Sequence, residues 1–92
     1  MVRFEIELSP AASWDLDDLE LGTVTKILSD IKILAESPFP RGKLIKKIRA
    51  KKTPFYRLRI DKFRVFYEIG PMKIIILRII SKTEAERFIK RL

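Results

Sequence analysis

Residues 55–69 read FYRLRIDKFRVFYEI, and in this stretch two runs of alternating side chains flank the pair Asp61-Lys62. Alternation with a period of two predicts β-strands. If Asp61-Lys62 is a two-residue turn, Arg59 lies directly opposite Arg64. Directly opposed residues share a face of a sheet, and faces alternate along each strand. The stretch therefore predicts an antiparallel hairpin whose two faces differ in chemistry.

One face of this hairpin is apolar and is predicted to join the core. Its members are Tyr56, Leu58, Ile60, Phe63, Val65, Tyr67 and Ile69. The other face carries Arg57, Arg59 and Arg64, which we call the arginine face, together with Phe66 and Glu68. Opposed cations destabilise a sheet, and a bound anion would offset that cost. Guanidinium groups beside an aromatic ring suit phosphates and bases. The alternative is that the arginines extend into water, with Glu68 as counter-ion.

The charge of the 92-residue chain, +8 at pH 7, is concentrated in one segment. Residues 41–64 carry eleven basic side chains against one acid, whereas residues 1–40 carry three against eight. Beyond the hairpin, the candidate RNA-binding cations of this segment are Lys43, Lys46, Lys47, Arg49, Lys51 and Lys52. A basic segment that also contains apolar residues is typical of a folded domain with a nucleic-acid partner. The alternative is a heat-adapted, solvated surface.

The composition excludes several kinds of site. The chain has no cysteine and no histidine, so disulfides, thiol nucleophiles, a Ser-His-Asp triad and a histidine general base are absent. We expect no metal and no cofactor. No segment approaches the roughly 20 apolar residues of a spanning helix, and the N-terminus does not resemble a signal peptide. We therefore expect a cytoplasmic protein without a membrane partner. The absence of Asn and Gln beside abundant charge fits a thermophilic source.

The N-terminal half predicts a strand over residues 2–8 and two helices. Ser9-Pro10 is typical of a helix start, and we expect this short helix to run to about Leu19. Trp14 is expected to pack inward, while Asp15, Asp17 and Asp18 are expected to face water. Gly22 should end the first helix and Thr23 should cap the second. Apolar residues then recur at the helical period, at Val24, Ile27, Leu28, Ile31 and Leu34.

The C-terminal half predicts a sheet followed by a helix. The expected strands are 43–49, 55–60, 63–69 and 73–80, and Ser81 should cap a helix over residues 83–92. The order β-α-α-β-β-β-β-α predicts an α+β domain, with two N-terminal helices packed on an antiparallel sheet and a short C-terminal helix. No repeat or linker divides the chain, so residues 1–92 are expected to form a single domain.

The chain resembles the RelE/ParE toxin superfamily of type II toxin–antitoxin systems. The resemblance rests on this order of elements, the Ser37-Pro38 helix exit, the Gly42-Lys43-Leu44 strand start and, above all, residues 55–69. The resemblance covers nearly the whole chain and is strongest with the RelE-type mRNA interferases. It implies a toxin that is neutralised by a RelB-like antitoxin. Its other expected partners are the ribosome and mRNA, and it would reach operator DNA only through the antitoxin complex.

The resemblance also implies roles for particular residues. Arg57 and Arg59 match basic residues that contact and orient RNA, and Arg64 matches an arginine that stabilises charge on the scissile phosphate. Lys82 stands at the position of a family arginine, and it retains the charge without the bidentate fork. Phe88 stands where the family often has a tyrosine, and a phenyl ring cannot transfer a proton. The implied catalytic set is therefore Arg57, Arg59, Arg64 and Lys82.

Four functions are consistent with these features. The first is a ribosome-dependent mRNA endonuclease that inhibits translation. The second is a ParE-like toxin that inhibits DNA gyrase by binding, without hydrolysis. The third is a catalytically weakened homologue that acts in an antitoxin-bound, DNA-binding regulatory complex. The fourth is a generic basic RNA-binding domain. Three convergent arginines favour the first, and the Lys82/Phe88 pair leaves the second and third open.

Overall fold

The computed structural model describes residues 3–91, so the parts of the predictions that fall on Val2 and Leu92 lie outside the described residues. The order of elements confirms the predicted β-α-α-β-β-β-β-α arrangement. Their bounds are β1 Glu5–Leu8, α1 Pro10–Asp17, α2 Leu21–Ile31, β2 Ile45–Ile48, β3 Phe55–Ile60, β4 Phe63–Gly70, β5 Lys73–Ser81 and α3 Lys82–Lys90. A 3-10 turn over Lys32–Ala35 continues α2.

The strands form one sheet in the order β1-β5-β4-β3-β2. β3 and β4 have the predicted register, in which Arg59 lies opposite Arg64 across a two-residue turn. Asp61 in this turn has a φ of 48°, in the left-handed region that Asp enters more readily than bulkier residues. The local alternation of residues 55–69 was therefore sufficient to define the centre of the sheet.

β1 makes the sheet mixed, which corrects the expectation of a purely antiparallel one. It pairs in parallel with β5, with Glu5 beside Lys73 and Leu8 beside Ile76. Tight turns between β3, β4 and β5 allow only antiparallel neighbours, whereas parallel pairing needs a long crossover. The chain makes such a crossover through α1 and α2 to the far edge before it returns to β5. Alternation along β1 predicts a strand but does not reveal its neighbour.

Helix α1 covers the part of β5 that β1 leaves unpaired. Beyond Ile76, the hydroxyl of Ser9 donates to the carbonyl of Leu77 at 2.9 Å, and the carboxylate of Asp15 accepts from the backbone N–H of Ile79 at 2.8 Å. Two side chains thus replace the missing ladder partners at this edge, as buried backbone polar groups require.

Two residues of α1, Trp14 and Asp15, are oriented opposite to the prediction. Trp14 is 71% exposed, whereas Asp15 is partly buried and also receives Arg78 Nε at 2.8 Å and Arg78 Nη2 at 3.0 Å. Asp17 and Asp18 are exposed, as expected. The open edge of β5 needs an acceptor, and that requirement places the carboxylate inward and leaves the indole outside.

Helix α2 begins earlier than predicted. Glu20 is its N-cap residue and Gly22 lies in its first turn, so Gly22 does not end α1 and Thr23 does not cap α2. Its predicted apolar stripe is confirmed in part: Ile27, Ile31 and, in the 3-10 turn, Leu34 have almost no exposed surface. Val24 is only partly buried and Leu28 is 38% exposed. Among the helices of residues 3–91, none is long and apolar enough to cross a membrane.

The sheet has a core on each side. The principal core lies under α1 and α2 and includes the apolar face of the hairpin, with Leu58, Val65 and Tyr67 at or below 1% exposure. A second, smaller core lies under α3 on the arginine-bearing side. It contains Phe55, Phe66, Ile80 and Ala85 at its centre, with Phe88 among the partly buried side chains packed against it. Helix α3, capped by Ser81 as predicted, therefore covers part of the arginine-bearing side.

The buried hydroxyl of Tyr67 links the principal core to the segment that follows the 3-10 turn. Tyr67 donates to the carbonyl of Pro38 at 2.7 Å, and burial raises the pKa of Tyr67 above its ordinary value. Above about pH 10 an unfolded tyrosine loses its proton while folded Tyr67 retains it. The folded state then binds more protons, so the free energy of unfolding falls as pH rises.

Tyr67→Phe should lower the free energy of unfolding at pH 7 by about 1–2 kcal/mol, because the Pro38 carbonyl loses its donor. The same variant should lose less stability than wild type between about pH 9 and pH 11. Urea unfolding at each pH measures both effects. Parallel pH profiles for the two proteins would contradict the assignment.

Candidate nucleic-acid interface

The arginine face begins at the end of the short edge strand β2, where Arg57 pairs with Lys46, and continues beyond it to Arg59 and Arg64. Arg59 is exposed, Arg57 is half-buried and Arg64 is only 6% exposed. Arg64 is the only charged residue among residues 3–91 that is classed as buried. The residues that the sequence predicted to converge are brought together, at graded depths rather than on an open surface.

Main-chain carbonyl groups hold two of these arginines. Arg64 Nη1 donates to the carbonyls of Asp61 at 3.0 Å and Phe63 at 2.8 Å, and Arg57 Nη2 donates to the carbonyl of Lys43 at 2.8 Å. A carbonyl orients a guanidinium group but carries no net charge. The tethers therefore fix the direction of both side chains while each keeps its full positive charge.

Both tethers come from turns with an unusual backbone. Asp61 has a φ of 48°, and Gly42, which precedes Lys43, has a φ of 51°. A glycine adopts this conformation without steric cost. The alternation and charge of the sequence do not reveal that the carbonyls of these turns belong to the site. The Arg41-Gly42-Lys43 segment was a usable signal, since a glycine before a short strand often marks a turn with positive φ.

The positive charge of the arginine face is not neutralised within the described chain. Among residues 3–91, no carboxylate lies within 4.0 Å of a guanidinium nitrogen of Arg57, Arg59 or Arg64, so Glu68 is not their counter-ion. The Nε of Arg57 is buried without a hydrogen-bond partner there. Burial, followed by the neighbouring arginines, lowers the pKa of Arg57 and of Arg64. Partly buried cations that repel one another and have no carboxylate partner favour an anion.

Phe66 corrects the prediction of an aromatic platform for bases. Its ring has no exposed surface, and its centroid lies 4.8 Å from that of Phe88 and 5.8 Å from that of Phe55. Phe88 also meets Phe55, at 5.9 Å. The three rings form a triangle that holds α3 on the sheet. Alternation predicted the face of Phe66 correctly but could not show that a helix covers it.

The remaining predicted cations are exposed but do not all share the arginine-bearing side of the sheet, because Lys46 lies opposite Arg57 whereas Lys47 lies opposite Tyr56 on the other face. Lys82 is the first residue of α3, its side chain is exposed, and its backbone N–H donates to the carbonyl of Lys62 at 2.9 Å. This bond ties the start of α3 to the turn that also holds Arg64. The predicted RNA-binding cations of β2 and its flanking loops are all exposed: Lys43, Lys46, Lys47, Arg49, Lys51 and Lys52. Residues 3–91 contain no cluster of three or more potential metal ligands.

A polyvalent anion should therefore stabilise the folded protein. Inorganic phosphate at ten times its Kd should add about 1.4 kcal/mol, which raises Tm by about 6–11 °C in a domain of this size. Chloride at equal ionic strength is the reference. Arg59→Gln should reduce the rise, because Arg59 is exposed and its loss leaves the packing intact. Arg3→Gln, an exposed arginine elsewhere, should not reduce it, and equal rises in both variants would contradict an anion site here.

Comparison with known proteins gives a consistent result. Residues 6–86 match the family model described as the ParE toxin of the type II toxin–antitoxin system parDE. The RelE1 protein of Methanocaldococcus jannaschii is 35% identical over 85 residues, which are 90% of this chain and 93% of that protein.

Solved structures share the fold. The RelE–RelB complex of Pyrococcus horikoshii OT3 matches with a TM-score of 0.72 and 23% identity, over 89% of this chain and 97% of that chain. The RelBE2 toxin–antitoxin complex of Mycobacterium tuberculosis matches with a TM-score of 0.72 and 19% identity, over 88% and 100%. The fold, the extent of the family match and the identity to RelE1 lead to one conclusion: the chain belongs to the RelE/ParE toxin superfamily of type II toxin–antitoxin systems.

Proposed function

We propose that this toxin is a ribosome-dependent mRNA endonuclease that inhibits translation in the cytoplasm. The observation that carries the proposal is the arginine face, where three guanidinium groups converge without a carboxylate within 4.0 Å among residues 3–91. Such a cluster matches the charge of a phosphodiester as it becomes more negative during cleavage. Lys46 of β2, which lies opposite Arg57 and shares its face, and the exposed cations of the loop that follows β2 extend this surface for the rest of the RNA strand.

In the proposed reaction the 2′-oxygen of one nucleotide attacks the adjacent phosphorus. The new 2′-O–P bond forms as the bond to the 5′-oxygen breaks, which gives a cyclic phosphate and a free 5′-hydroxyl. Because the chain has no histidine, we assign the proton of the 2′-hydroxyl to water, and the leaving oxygen takes a proton from water. Preorganised charge supplies the catalysis, since it needs no reorientation during the reaction.

Arg64 and Arg57 take the central positions because their direction is fixed by carbonyl tethers. We assign Arg64 to the charge that develops on the scissile phosphate, and Arg57 and Arg59 to the orientation of the RNA. Exposed Lys82 adds a cation at the start of α3, beside the turn. Phe88 contributes packing rather than proton transfer.

We further propose neutralisation by a RelB-like antitoxin, and an approach to operator DNA only through that complex. Structures with the same fold, from Pyrococcus horikoshii OT3 and Methanococcus jannaschii, are complexes of RelE with RelB. A cavity of about 500 Å³ between the start of α2 and the hairpin turn, partly lined by Ile27, Ile60 and Phe63, offers apolar surface for such a partner. The basic arginine face offers charge to an acidic one.

Primer extension on a translated mRNA, with ribosomes and purified protein, tests the endonuclease. Wild type should give ribosome-dependent cuts, and Arg64→Ala should slow them by about 10²–10³, the usual effect of removing one preorganised donor. Arg64 is buried, so exposed Arg59→Ala is the second variant and should also slow cleavage without loss of Tm. Arg3→Ala is the control and should cut as wild type does. Correctly folded wild type that makes no cuts would overturn the proposal.

A second candidate, inhibition of DNA gyrase, is favoured by the match to a ParE toxin model and by the missing hydroxyl at Phe88. Inhibition of supercoiling by wild type without RNA cleavage would establish it. The arginine face would then bind a nucleic-acid backbone without cleaving it.

A further inference from the structure

A second cluster of arginines lies on the side of α3 that faces β5. Arg87 and Arg91 are four residues apart and share one side of the helix, and Arg78 lies across from them on β5. Together they line a cavity of about 130 Å³, whose other lining residues are Ile80, Glu84 and Phe88. A cavity this small is well below the size of a typical organic-ligand pocket but has room for a compact anion.

Helix α3 separates this cluster from the arginine face. Ala85 and Phe88 pack onto the second core beneath the helix. The arginine face and the second arginine cluster therefore lie on opposite sides of α3. Glu84, which lines the small cavity, also lines a neighbouring one that reaches Asp15 of α1. The cluster therefore opens toward β5 and α1, about one helix diameter, ~10–12 Å, from the arginine face.

The charges of the cluster are only partly balanced. Arg78 forms a bidentate ion pair with Asp15, through Nε and Nη2. Arg87 has no carboxylate within 4.0 Å among residues 3–91, and the same holds for Arg91. A helix C-terminus favours cations, but two of them four residues apart repel each other. Glu84 is the one acid that lines the cavity, so the cavity keeps a net positive charge.

We propose that this cluster is a second phosphate-binding site, and that single-stranded RNA passes over α3 from the arginine face to reach it. The ligand is a phosphate group of the nucleic-acid backbone, held by Arg87 and Arg91 with Arg78 as a fixed third donor. That the nucleic acid is RNA rests on the proposed function, whereas the phosphate chemistry does not. With this site, the protein contacts a longer stretch of RNA, and the RNA strand crosses over α3.

Binding of a labelled single-stranded RNA, followed by fluorescence anisotropy over a series of salt concentrations, tests the site. The logarithm of affinity falls with the logarithm of salt with a slope of about −0.7 for each phosphate contact in single strands. Arg87→Ala/Arg91→Ala removes the one phosphate contact of this site and should therefore make the slope shallower by about 0.7. The control, Arg3→Ala/Lys32→Ala, removes the same charge elsewhere and should leave the slope within about 0.3 of the wild-type value.

A second variant gives an effect of opposite sign. Glu84→Gln removes the acid from the cavity and should tighten RNA binding at low salt, whereas Glu20→Gln, an exposed acid at the start of α2, should not. A merely structural contribution of Glu84 to α3 cannot tighten binding. Circular dichroism at the assay temperature confirms that each variant is folded.

Two outcomes would overturn the site: equal slopes for the two double-alanine variants, or no gain with Glu84→Gln. Equal slopes together with a phosphate-induced rise in Tm that Arg87→Ala/Arg91→Ala reduces would identify a site for free phosphate instead of RNA. These readouts do not depend on cleavage. If wild type fails to cut mRNA but the slope changes as expected, the endonuclease is wrong and the second phosphate site stands.

Discussion

Repulsion between two arginines is the constraint around which this domain is organised. The two-residue turn forces Arg59 and Arg64 to opposite positions in the hairpin, and Arg57 lies close enough to add to the repulsion felt by Arg64. The fold tolerates this charge through backbone carbonyls that accept hydrogen bonds from Arg57 and Arg64. The free protein therefore keeps an electrostatic repulsion at this position that is not offset by a carboxylate within residues 3–91.

The second core explains how a binding face can be part of so small a protein. A domain of this length buries a limited fraction of its surface. A sheet face left fully open to solvent would lower that fraction further. Phe55, Phe66 and Phe88 close part of that face beneath α3, which leaves the arginines at the margin of a packed region. Water is excluded on one side of them, and electrostatic attraction is stronger there than on a flat, fully wet surface.

Short-range sequence patterns predict those features of the fold that depend only on residues close together in the chain. Alternation and a two-residue turn predict the register of β3 and β4, and the helical period predicts the buried positions Ile27 and Ile31 of α2. Features that depend on contacts distant in sequence were not predictable in this way. The parallel pairing of β1 and the inward position of Asp15 both follow from which edge of β5 remains open. Phe66 was assigned to the correct face, but its burial depends on α3, 22 positions further on at Phe88.

The carbonyl tethers have a consequence for how such a toxin can diversify. Each tether uses a main-chain atom of Lys43, Asp61 or Phe63, so the side chains at these positions are not required for the tether itself. A lineage can therefore change surface chemistry around the arginines, and with it the partner it recognises, while the orientation of the guanidinium groups is inherited through the backbone path. Insertions and deletions in these two turns, rather than side-chain substitutions, are the changes that such a design tolerates least.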